Sequence, residues 1–394
     1  MKRVISFLIP IMIAIIVTNG INITLDNSLL GLKQEKDISL LGKKYGDFVK
    51  DKSAVIKDLL SDKGDLFLLG SSEMGVQVPQ NPLNMFPVND QKYDLSCFGR
   101  PYSQDLQQAT YLGSGNINQE QKVAYIVSLE WFEDADAIKA NNFAVNFSDI
   151  QFYRFLKNPK ISQENKEYYT KRVYTLLSKA KKYPAEALYA RLYYSKSPVK
   201  KCVQLLFEPY YSIKEYMLNI KDKALIYKEL KGLPNKSYNQ EAKNINWKDE
   251  EAKIEKENNK ITFNNQFHLD DKYYNSHEAD LAKTKNESQY ENPIKSKEMD
   301  DYRFFLSVCK ELDIKPYIIM LPINGWYYDY LGLPKEKRYE YYDEVKELAN
   351  ENKLNVLDLR DDEYKEGFLI DTMHFGKEGW LKVSEEIYKH FNKE

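Results

Sequence analysis

Histidine is the side chain through which this chain could carry out acid–base chemistry, and it is scarce. A catalytic imidazole usually needs a carboxylate on its second nitrogen, which sets the tautomer and stabilises the protonated ring. Only His374 has an acidic residue three positions earlier, Asp371, and this spacing allows a tight turn to bring carboxylate and ring together. The other three have Asn, Tyr or Ile at that position, and we interpret them as surface or packing residues: His268, His277 and His390.

The nucleophile candidates are two adjacent serines, Ser71 and Ser72, which follow the apolar run Asp65–Gly70. Such a run predicts a buried strand, and a helix beginning at its end would offer backbone N–H groups to an anion. Serine is also a preferred helix cap, so a purely structural role is the alternative. The segment Gly70–Met74 lacks the second glycine of the α/β-hydrolase nucleophile elbow, which excludes that motif.

Alternating strands and helices must position these groups. Further buried strands are predicted at Val123–Leu129, Pro316–Leu321 and Leu354–Asp358, with a weaker one at Tyr93–Cys97. Continuous apolar strands that alternate with helices indicate a parallel sheet covered on both faces, a three-layer α/β fold. Ligands bind such sheets at the carboxyl ends of the strands, so the serines and the Asp-x-x-His segment should reach one crevice. The helices are predicted at Asp301–Leu312, Lys335–Asn352 and Lys377–Asn392.

The alternation is interrupted between about residues 145 and 298. Residues 150–235 are rich in Tyr, Lys and Leu at helical spacing, whereas residues 236–298 are polar and predict a helix plus irregular loops. We interpret the whole stretch as a mainly helical insertion between the two halves of the sheet. Within it, residues 166–201 hold ten Lys and Arg against two Glu. That surface could follow a polyanion, or it could be an ordinary solvated helical face.

The front of the chain predicts a membrane anchor. Val4–Leu25 contains no ionisable side chain and directly follows Lys2 and Arg3. As a helix it would extend about 33 Å, enough for a hydrocarbon core of roughly 30 Å. The basic start favours a cytoplasmic N-terminus and an exported body in a single-pass protein. A cleaved signal peptide is the alternative, although no A-x-A-like site follows.

Three parts are therefore expected: an anchor over residues 1–25, a polar stalk over residues 26–60, and a body over residues 61–394. The formal net charge of −2 argues against a nucleic-acid binder. Three cysteines exclude a disulfide scaffold and a Cys-rich zinc module. We expect Cys97 and Cys309, which lie in apolar segments, to be buried and reduced.

The combination of a serine after the first strand and Asp-x-x-His after the last resembles the SGNH/GDSL hydrolase superfamily. Gly70-Ser71-Ser72 stands where that superfamily has Gly-Asp-Ser, so Ser72 matches the nucleophile. Gly99 matches the block whose glycine N–H helps to form the oxyanion hole. The third block normally supplies Asn, whereas this chain has Glu130 after its second long strand.

The wider pattern is similar to the DltD family, the D-alanyl transfer proteins of teichoic acid D-alanylation in Gram-positive bacteria. The similarity includes the apolar start, Gly-Ser-Ser-Glu, Gly99-Arg100 and Trp-Phe after Glu130. It continues through Leu321–Tyr330 and Asp371–Trp380. Members often have Gln before Trp-Phe, and the acidic Glu130 departs from that pattern. As an acid, Glu130 could donate to an oxyanion only when it is protonated.

The resemblance implies an SGNH-like sheet and a triad of Ser72, His374 and Asp371 acting on a D-alanyl ester or thioester. It implies Ser71, Gly99, Arg100 and Glu130 as oxyanion or substrate-binding residues, and no metal or cofactor. The implied partners are a D-alanyl carrier protein, a membrane-bound O-acyltransferase and lipoteichoic acid as acceptor. Two other functions stay open: a thioesterase or esterase that removes misloaded acyl groups, and a non-catalytic scaffold that recruits the carrier and the acyltransferase.

Overall fold

A five-stranded parallel sheet forms the centre of the protein in a computed structural model that describes residues 2–236 and 242–392, with side chains from residue 9 onward. The strand order is β2-β1-β3-β4-β5, and every neighbouring pair is parallel. Every residue of the first four strands is buried, as expected for a sheet covered on both faces. The strands are Leu66–Leu69 (β1), Leu95–Phe98 (β2), Val123–Ser128 (β3), Tyr317–Leu321 (β4) and Val356–Asp358 (β5).

Helices cover the sheet and form the segment between β3 and β4. Their bounds are Lys2–Glu35 (α1), Ser39–Gly42 (α2), Phe48–Lys52 (α3), Val55–Lys63 (α4), Pro82–Met85 (α5), Asp105–Gly113 (α6), Ala140–Asn146 (α7), Asp149–Lys157 (α8), Gln163–Ala180 (α9), Pro184–Tyr193 (α10), Pro198–Lys231 (α11), Trp247–Asn258 (α12), Asp271–Leu281 (α13), Lys297–Leu312 (α14), Gly325–Leu331 (α15), Lys335–Glu351 (α16) and Lys377–Phe391 (α17).

Two apolar clusters lie on opposite faces of the sheet. Because side chains alternate along a strand, Phe67 and Leu69 of β1 join one cluster, and Leu66 and Leu68 join the other. The first cluster includes residues of α6 and α14, and the second includes residues of α5 and α17. The predicted α/β class with a parallel sheet is confirmed. The five predicted strands are present, each within three residues of its expected ends.

The segment between β3 and β4 is mainly helical, with α7 to α13 inside it. Its second half contains two helices, α12 and α13, where the sequence analysis expects one, and residues 237–241 of that half lie outside the described part of the chain. The helix α9 contacts α10 and α14, so the insertion packs against the helices that cover the sheet.

The apolar start forms the first part of α1, which continues ten residues beyond the predicted end at Leu25. Within α1, Ile9–Glu35 is long and apolar enough to cross a membrane by length and composition. Within residues 26–60, predicted as a stalk, Ile38, Leu41 and Leu60 are fully buried in the core.

Polar contacts attach this segment to the body. Ser39 and Ser96 both donate to the carboxylate of Asp65, at 2.8 and 2.7 Å, at the base of β1 and β2. The apolar residues of this otherwise polar segment are buried because the segment packs on the body. Their spacing along the chain does not predict this burial.

Candidate active site

The loop after β1 presents Ser72 at the carboxyl edge of the sheet. The order β2-β1-β3 makes this position a topological switch point, where the chain leaves β1 toward one side and later returns on the other. The expected helix N-terminus is only a short 3₁₀ turn, Ser72–Gly75. Ser71 precedes it in a conformation outside the helical and extended regions, at φ −129° and ψ −127°. The loop therefore turns sharply at the two serines.

Three side chains form a continuous hydrogen-bonded chain at this edge. The Nε2 atom of His374 lies 2.9 Å from the hydroxyl oxygen of Ser72. The Nδ1 atom of the same ring lies 2.7 Å from Oδ2 of Asp371. With Asp371 as acceptor, Nδ1 carries the hydrogen, and Nε2 is free to accept the Ser72 hydroxyl proton. The structure thus brings together three residues that are up to 302 positions apart in the chain.

A tight turn holds Asp371 and His374. Oδ1 of Asp371 accepts from the backbone N–H groups of Met373 and His374, at 2.9 and 2.8 Å. The amide of Ile370 donates to the carbonyl of His374 at 2.8 Å, which closes the turn. The amide of Asn324, after β4, donates to the carbonyl of Thr372 at 2.9 Å. The loop after the edge strand β5 is thereby tied to the neighbouring strand end, closer to Ser72.

The pKa shifts of Asp371 and His374 favour a charged carboxylate and an imidazole that readily accepts a proton. Burial would raise the pKa of Asp371, but the hydrogen bond and positive charge of His374, with the two backbone N–H groups, lower it overall. Burial would lower the pKa of His374, but the bond to Asp371 and the charges of Asp371, Glu73 and Glu130 raise it overall. The ring is therefore a stronger base than a free imidazole, while Asp371 stays ionised.

Glu73 is a structural residue of the site, and the sequence alone assigned it no role. Its carboxylate accepts from the backbone N–H of Ser71, inside the loop. Burial raises the pKa of Glu73 to about 7, although backbone N–H groups of Ser71 and Glu73 oppose the shift. A Cβ at Gly70 would lie 2.3 Å from the Glu73 carboxylate, so a larger residue there would displace that carboxylate. An acid directly after a serine at a strand end was the available sequence signal.

Gly99, after β2, packs directly on the loop. Its φ is +142°, and a Cβ there would lie 1.9 Å from the carbonyl oxygen of Gly70. The side-chain amide of Gln108 donates to that carbonyl at 2.6 Å and to the Ser103 carbonyl at 2.9 Å. Gly99 thus lies next to the loop that holds Ser72, as its predicted oxyanion role requires. Gln108 has no recognisable motif and could not be found from the sequence.

Ser71 and Arg100 are both buried, and the bonds of their side chains are directed away from His374. The buried Ser71 hydroxyl donates to the Arg100 carbonyl at 3.1 Å, so Ser72, not Ser71, faces His374. The buried Arg100 guanidinium stacks on Phe48, 3.6 Å from its ring centroid, and donates to Asn146 at 2.8 Å. The Arg100 carbonyl therefore contacts the serine loop, whereas its side chain contacts Phe48 and Asn146.

Glu130 begins a turn after β3 and lies close enough to His374 for their charges to interact. Burial raises the pKa of Glu130, the charge of His374 lowers it, and that of Asp371 raises it, with a net rise. Glu130 also lines a groove of about 620 Å³. Acidic side chains outnumber basic ones along this groove. Its charged lining residues are Glu130, Glu133, Asp134, Glu291, Lys139 and Lys295.

The other candidate residues lie elsewhere. His268 stacks on Trp326, His277 on Tyr273 and His390 on Tyr317, with ring centroids 4.1 to 4.2 Å apart. Cys97 and Cys309 are buried free thiols, and Cys202 is exposed. Among the described residues, no group of three or more His, Cys, Asp or Glu side chains is arranged to hold a metal ion.

Comparison with known proteins gives one consistent result. A family model described as "DltD protein" matches residues 42–392. The chain is 27% identical to Protein DltD of Bacillus subtilis (strain 168) over 335 residues, 84% of each chain. It is 26% identical to Protein DltD of Staphylococcus aureus (strain NCTC 8325 / PS 47) over 356 residues, 87% of this chain and 85% of the relative. A shorter match, 27% identical over 128 residues, links it to Protein DltD of Lacticaseibacillus rhamnosus.

Proposed function

The chain belongs to the DltD family, and from this we propose that it transfers D-alanyl groups to lipoteichoic acid on the outer face of the membrane. The observation that carries the proposal is the hydrogen-bonded series Ser72, His374 and Asp371, with separations of 2.9 and 2.7 Å. A serine hydroxyl is a weak nucleophile until a neighbouring base removes its proton. The series supplies that base and a carboxylate that orients it.

In the first step, the Ser72 oxygen attacks the carbonyl carbon of a D-alanyl ester or thioester, and its proton moves to Nε2 of His374. The Asp371 carboxylate stabilises the resulting imidazolium through Nδ1–H. The tetrahedral intermediate collapses when the bond to the leaving oxygen or sulfur breaks, and that atom takes the proton from Nε2. The product is a D-alanyl ester on Ser72.

In the second step, a glycerol-phosphate hydroxyl of lipoteichoic acid gives its proton to His374 and attacks the ester carbonyl. The new ester forms on the acceptor, and the Ser72 oxygen recovers the proton. Both steps pass through an oxyanion, and we assign its stabilisation to the backbone N–H groups of Ser72 and Gly99. Preorganised N–H donors at such a position lower the barrier by several kcal/mol, on the order of 3 for a single donor.

The groove beside Glu130 supports recognition of the D-alanyl group. D-alanyl esters carry a free α-ammonium, and Glu130 connects the groove with the site, because its charge acts on His374. Four acidic side chains line the groove: Glu130, Glu133, Asp134 and Glu291. An ammonium bound there would favour the ionised form of Glu130, Glu133 and Glu291, whose pKa values burial raises. We assign Glu130 to this contact, because it is the lining residue whose charge acts on His374.

The apolar part of α1 supports attachment to a membrane. With Lys2 and Arg3 at its start, we propose a cytoplasmic N-terminus and an extracellular body. The donor would reach this body from a D-alanyl carrier protein charged in the cytoplasm, by way of a membrane-bound O-acyltransferase. No cofactor is needed for either step, since both are acyl transfers between oxygen or sulfur atoms.

The test is replacement of Ser72 by Ala in cells, with ester-linked D-alanine in the envelope as the readout. We expect the D-alanine content to fall to that of a strain without the protein, at normal protein level. The matched control is Ser71→Ala, whose hydroxyl donates to the Arg100 carbonyl and not to His374. It loses about one buried hydrogen bond and should retain most of the transfer. Undiminished D-alanine in Ser72→Ala would refute the proposal.

Two alternatives predict different outcomes. A thioesterase or esterase would give free D-alanine from a D-alanyl thioester even when a glycerol-phosphate acceptor is in excess. A non-catalytic scaffold would keep full D-alanylation in Ser72→Ala and His374→Ala and lose it when Val4–Leu25 is deleted. Product analysis with the purified full chain separates transfer from hydrolysis.

A further inference from the structure

The first half of α11 exposes a stripe of large apolar side chains. Val199, Leu206, Ile213 and Met217 are 72%, 79%, 65% and 47% exposed. Their spacings of seven, seven and four residues bring them onto one side of a helix with 3.6 residues per turn. Leu205 and Tyr210 extend the exposed apolar surface on either side. A contiguous surface of this kind usually marks a contact with a membrane or another protein.

The opposite side of the same half-helix packs on the body. Tyr211 is buried, with its ring centroid 4.3 Å from that of Tyr189 in α10. Tyr189 also donates to the carboxylate of Glu208 at 3.5 Å. The half-helix is therefore held in place by one face and presents the apolar stripe outward.

The direction of α11 follows from its contacts with α1. Tyr216 donates to the side-chain oxygen of Asn19 at 2.6 Å. Seven residues later in each helix, Lys223 pairs with Asp26 at 2.6 Å. The two helices therefore run in the same direction. The part of α11 before Tyr216 extends toward the same side as the part of α1 before Asn19, which is the apolar segment.

We propose that the first half of α11, Pro198–Met217, is a second membrane contact, which enters the bilayer surface that faces the body, alongside α1. The inference depends on the proposed membrane-spanning role of α1 and goes beyond it. Lys196, just before α11, and Lys201, in its first turn, are exposed at the start of the half-helix, where they would meet anionic headgroups while the stripe meets acyl chains. Two adjacent contacts, one that spans the bilayer and one that enters its surface, would hold the body in one orientation above the bilayer.

The chain carries a native reporter for this contact, because Cys202 is exposed within the apolar surface while Cys97 and Cys309 are buried. The purified full chain is labelled with a nitroxide at Cys202 and reconstituted into vesicles of equal parts phosphatidylcholine and phosphatidylglycerol. Electron paramagnetic resonance then compares its accessibility to oxygen, which partitions into lipid, and to a water-soluble nickel complex. We expect several-fold preference for oxygen. The matched control combines Cys202→Ser with Asp280→Cys, an exposed position on α13, and should prefer the nickel complex.

Equal accessibility of the nickel complex at positions 202 and 280 would overturn the proposal. An apolar environment that arises only when a second membrane protein is added would also overturn it, in favour of a protein partner. Met217→Cys in the Cys202→Ser background repeats the measurement if labelling at position 202 disturbs the fold. The same signal in Ser72→Ala would separate this inference from the proposed acyl transfer, because no chemistry is required for it.

Discussion

Three carboxylates act on His374, and each does so from a different structural position. Asp371 bonds to the ring, Glu73 is buried in the serine loop and bonds to the Ser71 amide, and Glu130 faces the groove. All three raise the pKa of the imidazole. Only Glu130 is positioned to meet a substrate as well, so its replacement should change selectivity more than the basicity of His374.

Glu130→Gln tests that assignment. Gln retains the size and an oxygen acceptor but loses the charge that would pair with the D-alanyl ammonium. We expect KM for a D-alanyl ester to rise about tenfold, equivalent to about 1.4 kcal/mol, with a smaller change in kcat. The corresponding propionyl ester has no ammonium and should be affected little. Equal effects on both esters would contradict ammonium recognition and favour an oxyanion role for the protonated acid.

Gly99→Ala tests the close contact beneath the serine loop. Alanine at φ +142° is strained, and its Cβ would lie 1.9 Å from the Gly70 carbonyl oxygen, so the loop must shift. We expect loss of acyl transfer and a decrease of at least about 2 kcal/mol in the free energy of unfolding. The control is Gly46→Ala, at φ +73° with no atom within 4 Å of the added Cβ, which isolates the backbone strain. Equal stability losses in the two variants would argue against the clash.

At the scale of elements, a buried ion pair joins the insertion to the helices over the sheet. Arg172 of α9 donates through Nε to both carboxylate oxygens of Asp301 in α14, at 2.9 and 3.1 Å. Tyr168 donates to the same carboxylate at 2.6 Å. Burial raises the pKa of Asp301 and the charge of Arg172 opposes the shift. One of the ten basic residues of the 166–201 stretch is therefore a structural residue and not part of a polyanion surface.

Arg172→Ala should be strongly destabilising, because it leaves Asp301 buried without its cation. We expect the free energy of unfolding to fall by about 3 kcal/mol in chemical denaturation. Lys179→Ala on the same helix is the control, since its pair with Asp136 is exposed on both sides at 3.5 Å. That variant should change stability by less than about 0.5 kcal/mol. Similar losses for both would show that the α9–α14 contact depends on packing alone.

At the scale of the molecule, buried acids lie between the sheet and its helical cover. Tyr125 of β3 donates to the carboxylate of Asp105, and the Asp105 amide donates to Glu298 at 2.8 Å. Burial raises the pKa of Asp105 to about 8, against the opposing hydrogen bonds of Tyr125 and Glu298. Burial and the charge of Asp105 raise the pKa of Glu298 as well. The folded protein therefore binds protons here that the unfolded chain releases.

The stability of the whole protein should consequently depend on pH. Since the pKa of Asp105 in the folded protein exceeds its ordinary value of 3.8, this contribution is complete below about pH 4 and is lost as pH rises toward 8. Asp105→Asn removes the titration and keeps an acceptor for Tyr125. We expect the unfolding free energy of the native chain to fall more steeply between pH 5 and 8, by up to about 1.4 kcal/mol per pH unit. Parallel pH profiles for the two proteins would contradict this.

Local patterns in the sequence determined much of the architecture. Continuous apolar runs identified β1, β3 and β4, because a strand buried on both faces needs apolar residues at nearly every position. Shorter apolar patterns interrupted by polar residues identified β2 and β5. The Asp371–His374 contact was also predictable, because it forms within one turn of chain. The same reasoning does not reveal the burial of Ile38, Leu41 and Leu60, which are apolar side chains in an otherwise polar segment. Periodicity shows which side chains can be buried but not what will cover them.

By itself, the sequence determined the α/β class, the apolar N-terminal helix and the pairing of His374 with an acid. Only the tertiary structure decided which serine faces that histidine, because Ser72 and His374 are 302 positions apart and meet across the sheet. It also revealed the loop contacts of Glu73 and Gln108 and the common direction of α1 and α11. These contacts join distant segments, and their geometry follows from the packing of the whole chain, which no local pattern of residues encodes.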